Sequence, residues 1–138
     1  MKKQRENSIQ SDILVLLKGD KKKGIKGIGG WWLNFHGGDP FMPRGIPDII
    51  GCYWGMFVAL EVKRPGEEPR KLQGKIMRVM EKAGAITATV YNTDDVIKAL
   101  IRVLATRQHP CFEAHLAELQ LTERMKDNAT KNKHGGMV

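Results

Sequence analysis

Residues 45–63 read GIPDIIGCYWGMFVALEVK, and this stretch decides the reading of the chain. Residues 48–53 and 56–63 are apolar, β-rich runs joined by Trp54-Gly55, a link short enough for a hairpin, so they are predicted to pair antiparallel. Side chains alternate across a strand, which puts Glu61 and Lys63 on one face and Leu60 and Val62 on the other. Asp48 opens the partner strand, and a hairpin brings its carboxylate toward Glu61, close enough for both to ligate one divalent cation through oxygen. Two carboxylates at that distance repel unless a cation intervenes. Magnesium suits such hard ligands, with manganese as a substitute; it keeps several waters and can offer one as nucleophile to a phosphodiester. Lys63 then either neutralises charge developing on the phosphate or orients the attacking water. The bland alternative makes Asp48 a turn residue and Glu61–Lys63 a charge pair on a sheet edge, at the cost of interrupting an apolar strand with charge.

Outward from the hairpin, apolar residues at helical spacing (Ile9, Ile13, Leu14, Leu16, Leu17) predict a helix over 6–18, closed by Gly19. Residues 19–30, GDKKKGIKGIGG, predict a mobile cationic loop. A strand is expected over 31–35, then a turn-rich segment, HGGDPFMPRG, in which Pro40 and Pro43 forbid regular structure. Beyond the hairpin the chain predicts a helix over 70–82 ending at Gly84, a strand over 86–91, and a helix capped by Asn92 or Thr93. That helix carries Asp94 and Asp95 in its first turn and turns Val96, Ile97, Leu100 and Leu104 inward. The order α, β, β, β, α, β, α implies an α/β fold. After residue 106 a helix is expected over 112–125, followed by a polar end, 126–138, with too little apolar surface to order.

Placing residues at about 100° each around the two leading helices adds polar candidates. Glu6 and Gln10 fall within the apolar arc of the first, where a carboxylate needs a partner such as a cation-bound water or a lysine; fraying of the helix end is the alternative for Glu6. In the second helix Gln73 lies inside the arc of Leu72, Ile76, Met77, Val79, Met80 and Ala83. It is placed to hold the lysine, a water or a phosphate, or to bond backbone. Lys71, Lys75 and Arg78, with Lys82, line the opposite side; with Lys21, Lys22, Lys23 and Lys26 of the glycine-rich loop and Arg44 they are the candidate phosphate contacts. Trp31 and Trp32 face opposite ways, one into the core and the other free to stack on a base or a second protomer, although core packing serves for both. His36 is read as an ordinary turn histidine. His109, Cys111 and His115 lack a fourth ligand and a zinc spacing. No Walker or dinucleotide glycine pattern implies a nucleotide cofactor.

Composition narrows the partners. The 138 residues hold 23 Lys and Arg against 15 Asp and Glu, a net charge of +8, which favours a polyanion. The length suits one domain, and 41% hydrophobic residues exclude a disordered chain. No apolar run approaches the ~18 residues of a membrane span, and the basic N-terminus lacks a signal-peptide core. The two cysteines, Cys52 and Cys111, are far apart and are expected to stay reduced in a cytoplasm, that of a bacterium or a phage-infected cell.

Taken together and in order, Glu6-x-x-x-Gln10, Gly-x-Pro-Asp48, Glu61-Val62-Lys63 and Gln73 resemble the virus-type replication-repair nuclease (VRR-NUC) domain of the PD-(D/E)XK nucleases. The resemblance covers residues 5–104, giving a nuclease domain over 1–105 and an extension over 106–138. It implies that Asp48, Glu61 and the Val62 backbone carbonyl ligate the metal, that Glu6 acts there through water, that Lys63 is catalytic and that Gln73 supports it. It also implies a PD-(D/E)XK restriction-endonuclease-like core, a mixed central sheet flanked by helices, and a homodimer cutting branched DNA, similar to a Holliday-junction resolvase. The long lysine-glycine insertion departs from the pattern and bears on the substrate. Other expectations are a nuclease acting on flaps or nicked duplex, one that needs a partner chain, and a non-catalytic DNA-binding module.

Overall fold

The computed structural model describes residues 2–35, 40–107 and 112–134. His36, His109 and Cys111 lie outside them, as does the chain after residue 134. Helix α1 (Lys2–Lys18) begins four residues before the predicted start and ends at Gly19, whose φ of 81° breaks the helix. The glycine-rich segment is more ordered than its composition suggests. Strands β1 (Gly19–Asp20) and β2 (Ile25–Lys26) pair antiparallel, because Asp20 Oδ1 accepts from the N–H groups of Lys22 (3.0 Å) and Lys23 (3.3 Å) and so folds the turn between them. The Ile28 N–H donates to the Leu16 carbonyl at 3.0 Å and ties this small ladder to α1.

The central sheet has four strands in the order β3 (Trp31–Asn34), β4 (Ile49–Tyr53), β5 (Met56–Val62), β6 (Ile86–Val90). The first three pair antiparallel and β6 is parallel to β5, with helix α2 (Lys71–Lys82) as the crossover. The sheet is therefore mixed, as expected. Trp54 (φ 49°) and Gly55 (φ 77°) both take positive φ between the paired Tyr53 and Met56, which is a type I′ turn matched to strand twist. A tryptophan is unusual there; its ring packs against the core, which offsets the backbone cost. Helix α2 closes as predicted: the Gly84 N–H bonds the Glu81 carbonyl and the Ala85 N–H the Met80 carbonyl, both at 3.0 Å.

The two faces of the sheet differ. Trp32, Ile49, Tyr53, Val58, Leu60, Val62 and Val90 are buried against α1 and helix α3 (Thr93–Arg107), whose Val96, Ile97, Leu100 and Leu104 are buried. Asn92 caps α3 by accepting the Asp95 N–H at 2.9 Å. The opposite face is covered by α2 over β5 and β6. In register across β3, β4 and β5, Trp31, Cys52 and Phe57 remain exposed there. Of the paired tryptophans, Trp32 is thus the core residue, its Nε1–H donating to the Gly29 carbonyl at 2.8 Å, while Trp31 is 61% exposed.

Helix α4 (Phe112–His134) runs well past the predicted end at 125, through much of the segment expected to be disordered. Leu119 is inserted into the core, and the Lys126 ammonium stands toward Asp94 and Asp12, with burial lowering its pKa against their pull. The Thr122 and Thr130 hydroxyls bond carbonyls four residues back within the helix, at 2.9 Å each, so Leu119 and the charges around Lys126 are what attach a segment poor in apolar residues. Among the described residues no helix is long and apolar enough to cross a membrane.

Candidate active site

The hairpin register sets the site. Pairing Ile49 with Leu60 leaves Asp48 beside Glu61 at one end of the sheet. Asp48 Oδ2 accepts the Val62 N–H at 2.9 Å, so a side chain takes over where the ladder stops. The ladder stops there for a reason: continued by two residues it would put Pro47 opposite Val62, and proline has no N–H to give the Val62 carbonyl. In a strand the N–H and C=O of one residue leave on the same side, so this carbonyl faces the same edge as Asp48.

Glu61 is fully buried, with its carboxylate divided between two tasks. Oε1 accepts from Gln73 Nε2 at 2.8 Å and pairs with Lys63 Nζ at 3.3 Å. Oε2 is buried and has no hydrogen-bond partner among the described residues. Burial first, and the neighbouring Asp48 carboxylate second, push the Glu61 carboxyl up to about 7 against the opposing pull of Lys63. Burial also raises Asp48, although the Val62 N–H, Glu61 and Lys63 all favour its ionised form. Lys63 keeps only 11% of its side chain exposed, so the ammonium is held at the carboxylates rather than in solvent.

Two elements hold this cluster in place. Gln73 enters from the first turn of α2, where its Oε1 accepts the Arg70 N–H at 2.9 Å and its Nε2 reaches Glu61, so one amide both caps the helix and fixes the carboxylate. Of its predicted alternatives the backbone bond is present; its other partner, the Glu61 carboxylate, is not among them. The Gly45-Ile46-Pro47 loop lies directly on α2. Gly45 has a φ of 83°, and a Cβ there would come within 2.6 Å of Ile76 Cδ1, so glycine allows the approach that delivers Asp48.

The other predicted residues are placed less closely. Glu6 is half-exposed and does not join Asp48 and Glu61: among the described residues no three His, Cys, Asp or Glu side chains converge to hold a metal ion. Gln10 is likewise half-exposed on α1. Lys71, Lys75, Arg78 and Arg44 are exposed around α2 and the loop leading to Asp48. Lys21, Lys22, Lys23 and Lys26 are exposed at the other end of α1, ~15 Å of helix beyond Ser8 and Ile9. Lys23 and Lys26 line a different cavity, of about 560 Å³, with Tyr53, Leu119 and Lys126. The α2 arc is only partly covered, with Met77 buried and Leu72 and Val79 exposed. Two residues escaped the sequence reading: Pro47, read only as part of a motif, and Arg64, which directly follows Lys63.

The donor set fits a hard divalent cation. Two adjacent carboxylates, Glu61 raised by burial and by Asp48 and Asp48 raised by burial, an unpartnered buried carboxylate oxygen and a carbonyl without a ladder donor are what an oxygen-preferring ion satisfies. With only two protein carboxylates the remaining positions fall to water, as magnesium prefers. Compared with known proteins, the chain matches no family model, no curated protein and no solved structure.

Proposed function

We propose that this chain is a magnesium-dependent DNA endonuclease, with manganese able to substitute, of the VRR-NUC type and a PD-(D/E)XK core, acting in the cytoplasm as a homodimer on branched DNA. The observation that carries the reading is the buried Glu61 beside the half-buried Asp48, with Lys63 Nζ 3.3 Å from Glu61 and Glu61 Oε2 without a hydrogen-bond partner among the described residues. A structural ion pair needs one carboxylate for one lysine; a second, half-buried carboxylate beside it raises the cost unless a cation is to come. The net charge of +8 and the exposed Lys71, Lys75, Arg78 and Arg44 favour a polyanionic substrate.

Asp48, Glu61 and the Val62 carbonyl hold the ion in this reading, with Glu6 reaching it only through water. When bound, the ion supplies a lowered water pKa and positive charge for the phosphodiester. Gln73 and Lys63 fix the plane of the Glu61 carboxylate through Oε1, so Oε2 keeps one direction. Lys63 carries an ammonium to the place where negative charge develops on phosphorus oxygens as water adds and the ester oxygen departs.

Cleavage of labelled four-way junction, flap, nicked, single-stranded and linear duplex DNA tests this, with magnesium, manganese or chelator. Paired cuts at a junction that need metal are expected, with Lys63→Ala lowering the rate at least ~1000-fold while its melting temperature and DNA affinity stay near wild type. Cleavage retained by Lys63→Ala would remove the assignment, and binding without cleavage in wild type would make the chain a non-catalytic DNA-binding module. Light scattering decides dimer against monomer.

A further inference from the structure

Arg64 follows Lys63, and strand alternation carries its side chain to the opposite face of the sheet end, toward α1. There Arg64 and Pro65 form one wall of a cavity of about 450 Å³ whose other wall is Ser8 and Ile9. The arginine side chain is only 17% exposed. Its Nη2 pairs with Glu67 Oε1, which fixes the guanidinium, while its Nε–H is buried with no hydrogen-bond partner among the described residues. An unpaired N–H on a largely buried cation is costly, and the described residues supply no acceptor for it. The guanidinium fork matches phosphate oxygens, and the cavity it lines lies at the same end of β5 as Lys63, on the other side of the strand.

We propose that Arg64 is a positioning residue that binds a phosphate of the substrate strand neighbouring the scissile one, with the cavity between α1 and the end of β5 as the track of that strand. The proposal rests on the nuclease reading. Lys63 and Arg64 leave the strand end on its two sides, so a DNA strand laid across that end meets two cations at successive phosphates. Glu67 holds one arm of the guanidinium and Ser8 offers a hydroxyl from the facing wall.

The test compares wild type, Arg64→Ala and Arg64→Lys in magnesium-dependent cleavage, with melting curves as the check on folding. Arg64→Ala should lose about 10- to 100-fold in kcat/KM, chiefly through KM, with partial recovery in Arg64→Lys and on adding free guanidinium to Arg64→Ala. A neutral methylphosphonate moved along the substrate strand should reproduce the loss at one internal position in wild type and add nothing in Arg64→Ala. The same non-additivity on removing a 5′-terminal phosphate instead would identify the bound group as a strand end. Wild-type kinetics in Arg64→Ala would overturn the assignment and leave the nuclease reading standing. So would losses in both variants that add fully to the methylphosphonate effect, which would mark a structural role. A wild type that cuts no DNA with either metal overturns both.

Discussion

The charge state of Glu61 makes the site visible to a stability measurement. Its carboxyl ionises at about 7 in the folded chain against an ordinary 4.5. Below about 4.5 both folded and unfolded chains keep the proton; between 4.5 and 7 the unfolded chain alone releases it, so this group makes stability fall as pH rises through that window and level off above it. In chelator, Glu61→Gln should therefore lose most of that slope and melt above wild type at pH 8, because it removes a charge from a buried position. Asp48, also raised, leaves a residual slope. Magnesium held by the ionised carboxylates, as proposed, should raise the melting temperature of wild type more at pH 8 than at pH 5 and raise that of Glu61→Gln far less. Differential scanning calorimetry reads all of these, and a variant that melts with wild type across the pH range would contradict them.

At the scale of elements, the hairpin and the helix after it carry almost the whole candidate site, and this is why so much of it was legible in the sequence. Residues 45–73 hold Asp48, Glu61, Lys63 and Gln73, and the two-residue link, the alternation and the helical arc each have a short-range signature. Glu6 differs, because whether it reaches the carboxylates depends on how α1 packs across the sheet, which no local pattern encodes. The role of Pro47 was hidden for a similar reason: its missing N–H matters only once Val62 is known to stand opposite. Pro47→Ala restores a donor for the Val62 carbonyl. It should change stability by no more than ~1 kcal/mol, while several-fold more magnesium is needed for half of the melting-temperature shift. An unchanged magnesium midpoint would show that the carbonyl is not a ligand.

Across the whole molecule the core reaches further along the chain than composition suggested. The polar residues of α4 hid its order, since a helix with few apolar residues can still be anchored by one of them, here Leu119 at 1% exposure. Leu119→Ala should cost about 2–4 kcal/mol, seen as a lower midpoint in urea unfolding; a loss below ~1 kcal/mol would mean that α4 is only loosely attached. The cationic segment 19–30 was misjudged in the same direction, because one aspartate accepting two backbone N–H groups outweighed the glycines around it. One feature at the far end of the sheet governs the chemistry without touching it. The Trp54-Gly55 turn counts out the pairing of β4 with β5, so its length works as a ruler for the distance between Asp48 and Glu61. One residue gained or lost between Tyr53 and Met56 would turn every side chain on one of the two strands over and send Glu61 away from Asp48, with neither of them altered. Descendants of this sequence can therefore change the letters of that turn, within what positive φ allows, but not their number, whereas the turn at 21–24, folded by Asp20 and tied to neither Asp48 nor Glu61, can lengthen or shorten without moving the site.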